Sequence, residues 1–176
     1  MAAVLFTPLS TIQKAVEQLT RQHTGLCEVT NLNAPSQTVV SGERAQLLRL
    51  QPVLKQLEGG KRARVVLMNV KYPFHSSLLK SASDELESYV RTFDVKDPLF
   101  PVLSNLDGSL MDSKDAILER VGKQLSSPVL WNECVTQALN FGINEFVEIG
   151  PKPVLSALLK SSSKSISVKF LLFFSL

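Results

Sequence analysis

The stretch CEVTNLNAPSQTVVSG, residues 27–42, decides how the first part of this chain folds. CEVTNL alternates in the manner of a strand, the polar segment NAPSQ turns the chain, and QTVVSG reads as a second strand ended by Gly42. Working outward, TIQKAVEQLTRQ upstream puts Ile12, Ala15, Val16 and Leu19 on one helical face, with Pro8 at its first turn. Before it, AAVLF is a short β-run. Downstream, GERAQLLRLQPVLKQLEGG reads as a helix closed by Gly59-Gly60, with Pro52 as a kink or break, and ARVVLMNV is a clear strand.

The order over residues 1–70 is therefore βαββαβ, the split arrangement of ferredoxin-like domains. After Tyr72 the texture changes. Ser77 to Thr92 reads as a helix with Leu78, Leu79, Ala82, Leu86 and Val90 along one stripe. PLFPVLSNLDG is a short strand running into a turn at Asp107-Gly108, and a helix follows from Lys114 to Leu125. Pro128 opens another helix, VLWNECVTQALNFG, ended by Gly142. NEFVEIG is a strand stopped by Gly150-Pro151, and PVLSALLKS is a short helix. Isolated strands of this kind need parallel neighbours, and residues 71–176 do not obviously supply enough, so the second half reads as part of a larger α/β layer whose other strands are missing. Residues 162–176 carry the apolar KFLLFFSL, whose readings are a last strand or a frayed terminus.

Composition narrows the function classes. With 176 residues the chain can bury a sizeable core, and 44% hydrophobic with 20% charged residues is ordinary for a soluble globular protein. A net charge of +3 is too small to argue for nucleic acid. The one basic cluster, Lys61, Arg62 and Arg64, reads as a solvated approach to a strand, and could steer an acidic protein. No run approaches the ~18 apolar residues of a membrane span. Cys27 and Cys134 show no CxxC or metal spacing, which predicts buried free thiols in a reducing compartment and no metal site. The first residues, MAAVLF, lack the basic region and cleavage pattern of a signal peptide. They read as a strand from residue 2, as if already inside a domain.

Five motifs, NLNAPSQTVVSG, YPFHSSLL, PVLSNLDG, QLSSPVLW and FVEIGPKPVLSALL, stand in the order and approximate spacing of malonyl-CoA:acyl carrier protein transacylases. The chain resembles that family over about residues 1 to 161. The resemblance implies a ferredoxin-like small subdomain at 1–70 and, at 71–161, the return of the chain to an α/β-hydrolase-like large subdomain. It implies transfer of malonyl from coenzyme A to the phosphopantetheine thiol of acyl carrier protein, in fatty acid biosynthesis, through a covalent malonyl-serine. Malonyl-CoA and phosphopantetheine enter as substrates, and no bound cofactor is implied. Such enzymes work in bacterial cytoplasm or in mitochondria and plastids, and both settings stay open.

The same resemblance assigns His75 as the catalytic base. A serine hydroxyl is a poor nucleophile until a base takes its proton, and an imidazole can accept that proton and return it. Gln124, in GKQLSSPVLW, matches the residue whose backbone carbonyl orients the histidine. Because the main-chain oxygen does this work, side-chain changes at 124 should be tolerated better than changes of the local backbone. Asn33 matches an asparagine lining the substrate cleft, although Asn before Ala-Pro is also ordinary loop chemistry. His23, near a helix end, reads as a surface or C-cap histidine.

Two departures stand out. Gly150-Pro151-Lys152-Pro153 replaces the family's Gly-Pro-Gly-Lys pattern and stiffens the start of the last helix. Further, no pair of the eight glycines brackets a serine in a G-x-S-x-G elbow. The family's oxyanion hole and its malonyl-selecting arginine have no matching motif here either. The expectation is a chain holding the base without the nucleophile, inactive alone. The alternative is a non-catalytic module that binds acyl carrier protein or a partner polypeptide.

Overall fold

The computed structural model describes residues 1–163 and 165–173. Its first part runs β1 (Ala2–Leu5), α1 (Leu9–Gln22), β2 (Cys27–Ala34), β3 (Gln37–Gly42), α2 (Arg44–Gln56) and β4 (Arg64–Leu67). The sheet order is β2-β3-β1-β4, antiparallel at every junction. Each helix thus joins strands separated by one other strand, the topology of a split βαβ pair. NAPSQ is less of a turn than its composition suggests: β2 runs on to Ala34, and only Pro35 and Ser36 lie between the strands. Pro52 neither ends nor breaks α2, which continues to Gln56.

Strand alternation sorts this sheet into two faces. Ala2, Val4, Cys27, Val29 and Val40 turn to the helices and pack with Ile12, Leu19, Leu50 and Leu54 in the main core. Glu28 and Ser41, directly opposite one another across β2 and β3, belong to the other face. Ser41 and Thr30 are nevertheless fully buried, so something covers that face.

The second part comprises a 3-10 turn at Ser77–Leu79, α3 (Lys80–Val90), β5 (Val102–Leu103), β6 (Leu110–Met111), α4 (Lys114–Val121), a 3-10 turn at Lys123–Leu125, α5 (Trp131–Asn140), β7 (Glu145–Gly150), α6 (Val154–Ser162) and β8 (Ser167–Leu172). Several expectations need correction. The apolar stripe expected on α3 is not its buried face: Leu78 and Ala82 are exposed, and Ser83 is the buried residue. Ser83 Oγ donates to the carbonyl of Gly122 at 2.9 Å. A Cβ at Gly122 would stand 2.6 Å from Glu87 Cα, so glycine is what permits this approach. The helix expected over 114–125 stops at Val121 and tightens into the second 3-10 turn. α5 begins at Trp131, three residues after Pro128.

The tail supplies the parallel neighbour that β7 requires: Glu145 to Gly150 pair in parallel with Ser167 to Leu172. Residues 164 and 174–176, part of the segment read as a tail, lie outside the described residues. A small second core forms from Val135, Leu159 and Ile166, with Trp131, Leu139, Phe146 and Val168 against it. The Gly-Pro-Lys-Pro turn leads into α6 through Pro153, and Glu148 of β7 caps the helix. Its carboxylate accepts from the amides of Val154, Leu155 and Ser156 at 3.0, 2.9 and 2.7 Å, and from the Ser156 hydroxyl. Desolvation is the largest single effect on the Glu148 carboxyl and pushes it up, but these bonds together outweigh it and hold the group below the ordinary glutamate range.

Candidate active site

The site is built where the segment after β4 meets the 3-10 turn after α4. His75 Nδ1 lies 2.8 Å from the backbone oxygen of Gln124, and His75 N–H donates to the carbonyl of Leu125 at 2.9 Å. A carbonyl only accepts, so Nδ1 carries the proton and the neutral ring keeps its lone pair on Nε2. Among the described residues Nε2 has no hydrogen-bond partner. The ring is half-buried, with Phe74 beside it at 6.4 Å between centroids.

The backbone at His75 is unusual, with φ at 63°, in the left-handed region that a non-glycine residue adopts only when its surroundings impose it. Hydrogen bonds on both sides of the residue impose it. Ser41 Oγ donates to the carbonyl of Phe74 at 2.9 Å. Ser76 Oγ donates to the carbonyl of Pro73 at 2.6 Å. Ser77 donates through N–H and Oγ to the two carboxylate oxygens of Glu28, at 2.8 and 2.6 Å. The loop around His75 thus covers the part of the polar face of the first sheet that carries Glu28 and Ser41.

The acceptor side is tied to the same sheet. The Gln124 side chain folds back over its own turn, donating to the carbonyls of Ser127 and Pro128 at 3.1 and 3.3 Å. Its main-chain oxygen is left to the histidine. Val129 then bridges to β2: Val129 N–H donates to Thr30 O at 2.8 Å, and Leu32 N–H to Val129 O at 2.9 Å.

The structure brings His75 and Gln124 into hydrogen-bond contact, and no other candidate bonds to either among the described residues. Asn33 lies in β2 at an irregularity between Leu32 and Ala34, half-buried, with no hydrogen bond to either residue. His23 is the exposed C-cap of α1. Both cysteines are buried free thiols. Burial, with the Glu28 charge added, pushes the Cys27 thiol up to about 11, and burial raises Cys134 as well. Neither offers a thiolate at neutral pH. Among the described residues there is no cluster suited to a metal ion and no helix long and apolar enough to cross a membrane.

Sequence reasoning missed Glu28, Thr30, Ser41 and Ser77. Their only signal was polar residues at positions where strand alternation and an adjoining helix already gave an ordinary reading.

Comparison with known proteins gives the family of the chain. The acyl transferase domain family matches residues 10–171. The malonyl CoA-acyl carrier protein transacylase of Bacillus subtilis (strain 168) is 35% identical over 164 residues, covering 93% of this chain and 50% of that protein. The crystal structure of an acyl-carrier-protein S-malonyltransferase from Burkholderia pseudomallei 1710b is 34% identical, with a TM-score of 0.87 over 96% of this chain and 53% of that one. A malonyl-transacylase in complex with its type II PKS acyl-carrier protein aligns at 28% identity, with a TM-score of 0.88 over 97% of this chain and 54% of that one. The chain spans about half the length of the relatives it matches. It belongs to the acyl transferase domain family, a family of acyltransferases, alongside the malonyl CoA-acyl carrier protein transacylases.

Proposed function

We propose that this chain carries the general-base half of a malonyl transfer site, with His75 as the base and the Gln124 carbonyl as its orienting acceptor. The observation that supports this most is the 2.8 Å contact from Nδ1 to Gln124 O, because it leaves Nε2 as the basic nitrogen. In the reaction, Nε2 takes the proton of a serine as that serine attacks the thioester carbonyl of malonyl-CoA. The imidazolium then protonates the departing coenzyme A thiolate, leaving a malonyl-serine. In the second half, Nε2 takes the proton of the phosphopantetheine thiol of acyl carrier protein as its sulfur attacks the malonyl-serine ester, and the imidazolium gives that proton to the departing serine oxygen. The Gln124 carbonyl steadies the positive ring in both halves. Asn33 is the candidate for a contact to the acyl or pantetheine portion.

The serine, the oxyanion donors and a carboxylate-binding arginine belong to polypeptide matching the other half of the relatives. The chain by itself should therefore not turn over. A surface for such polypeptide is available. β7 pairs only with β8 among the described residues, and Val147, Ile149 and Leu171 on this small sheet are 57%, 67% and 53% exposed. The same surface favours the second reading, a module whose work is to bind a partner polypeptide.

Labelled malonyl-CoA separates these. The chain alone should take no covalent label. Fused behind the unmatched part of the Bacillus subtilis relative, it should acquire label and pass it to acyl carrier protein. His75→Ala in that fusion should slow transfer by roughly 10²–10⁴-fold. A folded fusion whose transfer rate ignores His75→Ala would overturn the assignment.

A further inference from the structure

Holding an imidazole on a backbone carbonyl requires more than the carbonyl. His75 sits at φ 63°, and an L-residue left to itself relaxes out of that region. We propose that Ser41, backed by Thr30, and Glu28 are positioning residues: a polar clamp on the first sheet that keeps the His75 ring on Gln124 and fixes its tautomer. The inference rests on the reading of His75 as a base.

Proton accounting gives the clamp a direction. Ser41 has one hydroxyl proton and spends it on Phe74 O at 2.9 Å. The Thr30 hydroxyl lies 2.9 Å from Ser41 Oγ and 3.4 Å from Val39 O, so its proton goes to the nearer serine. The chain runs Thr30 to Ser41 to the carbonyl immediately before His75. Both hydroxyls are fully buried, where an unpaired polar atom is costly, and each satisfies the other. On the far side of His75, Glu28 takes both donors of Ser77.

Glu28 and Ser41 stand opposite one another in the β2–β3 register, so a single sheet position grips the loop before and after the histidine. Thr30 serves the acceptor side too, since its backbone carbonyl receives Val129 N–H and anchors the segment that follows Gln124. Base and acceptor are referenced to the same residue. Neither Ser41 nor Glu28 touches Nε2 or substrate, so their effect passes through the ring's orientation.

The two histidines make imidazole nitrogen NMR a direct readout on the chain itself, with His23 as an internal control. In the native chain His75 should give the Nδ1–H pattern. Ser41→Ala and Glu28→Ala should each admit the Nε2–H form, drawing the His75 Nδ1 and Nε2 shifts toward each other while His23 stays unchanged. Ser41→Thr, which keeps the hydroxyl, should restore the native pattern. Native His75 shifts in folded Ser41→Ala and Glu28→Ala overturn the clamp. If Ser41→Ala fails to fold, the more exposed Glu28→Ala decides alone, and unchanged shifts there overturn it. Mixed tautomers already in the native chain would overturn the Gln124 pairing along with the clamp, whereas unchanged variant shifts overturn the clamp only.

Discussion

Gln124 separates what a side chain does from what its backbone does. Its amide ties the 124–128 turn through two bonds to main-chain carbonyls, while the oxygen facing His75 is on the main chain. Gln124→Ala should therefore cost about 1 kcal/mol of stability and leave the His75 Nδ1–H signature in place. Urea unfolding and imidazole NMR check the two parts, and loss of the Nδ1–H signature in a stable variant would count against backbone orientation. At this scale the sequence spoke unevenly. His75 and Gln124 were legible because each sits in a motif of several residues. Ser41 and Thr30 were not, since one hydroxyl in a strand looks like any other until the loop that it holds is folded over it.

Elements fail to be legible when their buried face is decided by a partner rather than by periodicity. α3 has a run of apolar residues at helical spacing, yet Ser83 is what it buries, because the partner is the glycine turn before Gln124 rather than an apolar layer. Of the β5–β6 hairpin, the first strand and the Asp107-Gly108 turn were legible, whereas β6, two residues long, escaped. By contrast, β1 to β4 were read in the correct order because two amphipathic helices punctuate them.

α6 shows how a single side chain can hold an element. With no acidic residue in its first turn, the helix relies on Glu148 from the preceding strand. The Glu148 carboxyl is held below its ordinary range in the folded chain, so the ionised form is the stabilising one. The unfolded chain takes up the proton first on acidification. Stability from this contact is then complete above the unfolded value of about 4.3 and fades as pH falls through the folded one. Glu148→Gln should remove this component of acid unfolding, flattening the pH dependence of the melting temperature below that value. A variant with the native acid profile would show that the cap does not report on α6.

Across the whole molecule, burial is distributed unequally. The first sheet and its two helices share eleven buried apolar residues in one core, whereas the second core has three buried members and a two-stranded sheet with an exposed apolar outer face. Burial of apolar side chains is the dominant favourable term in folding, so the two parts should not open together. Backbone amides of β1 and β3, which are central in the sheet and packed under α1 and α2, should exchange slowest with deuterium. Those of β7 and β8 should exchange orders of magnitude faster. Leu50→Ala, which empties the centre of the larger core, should cost about 2–5 kcal/mol and bring the protection of the first sheet down toward that of the second. Polypeptide seated on β7 should do the reverse, raising protection in β7 and β8 while leaving β1 and β3 as they were. Equal protection of both sheets in the isolated chain would mean that the small core, with Glu148 and the β2–Val129 bridge, is held by the large one as a single cooperative unit.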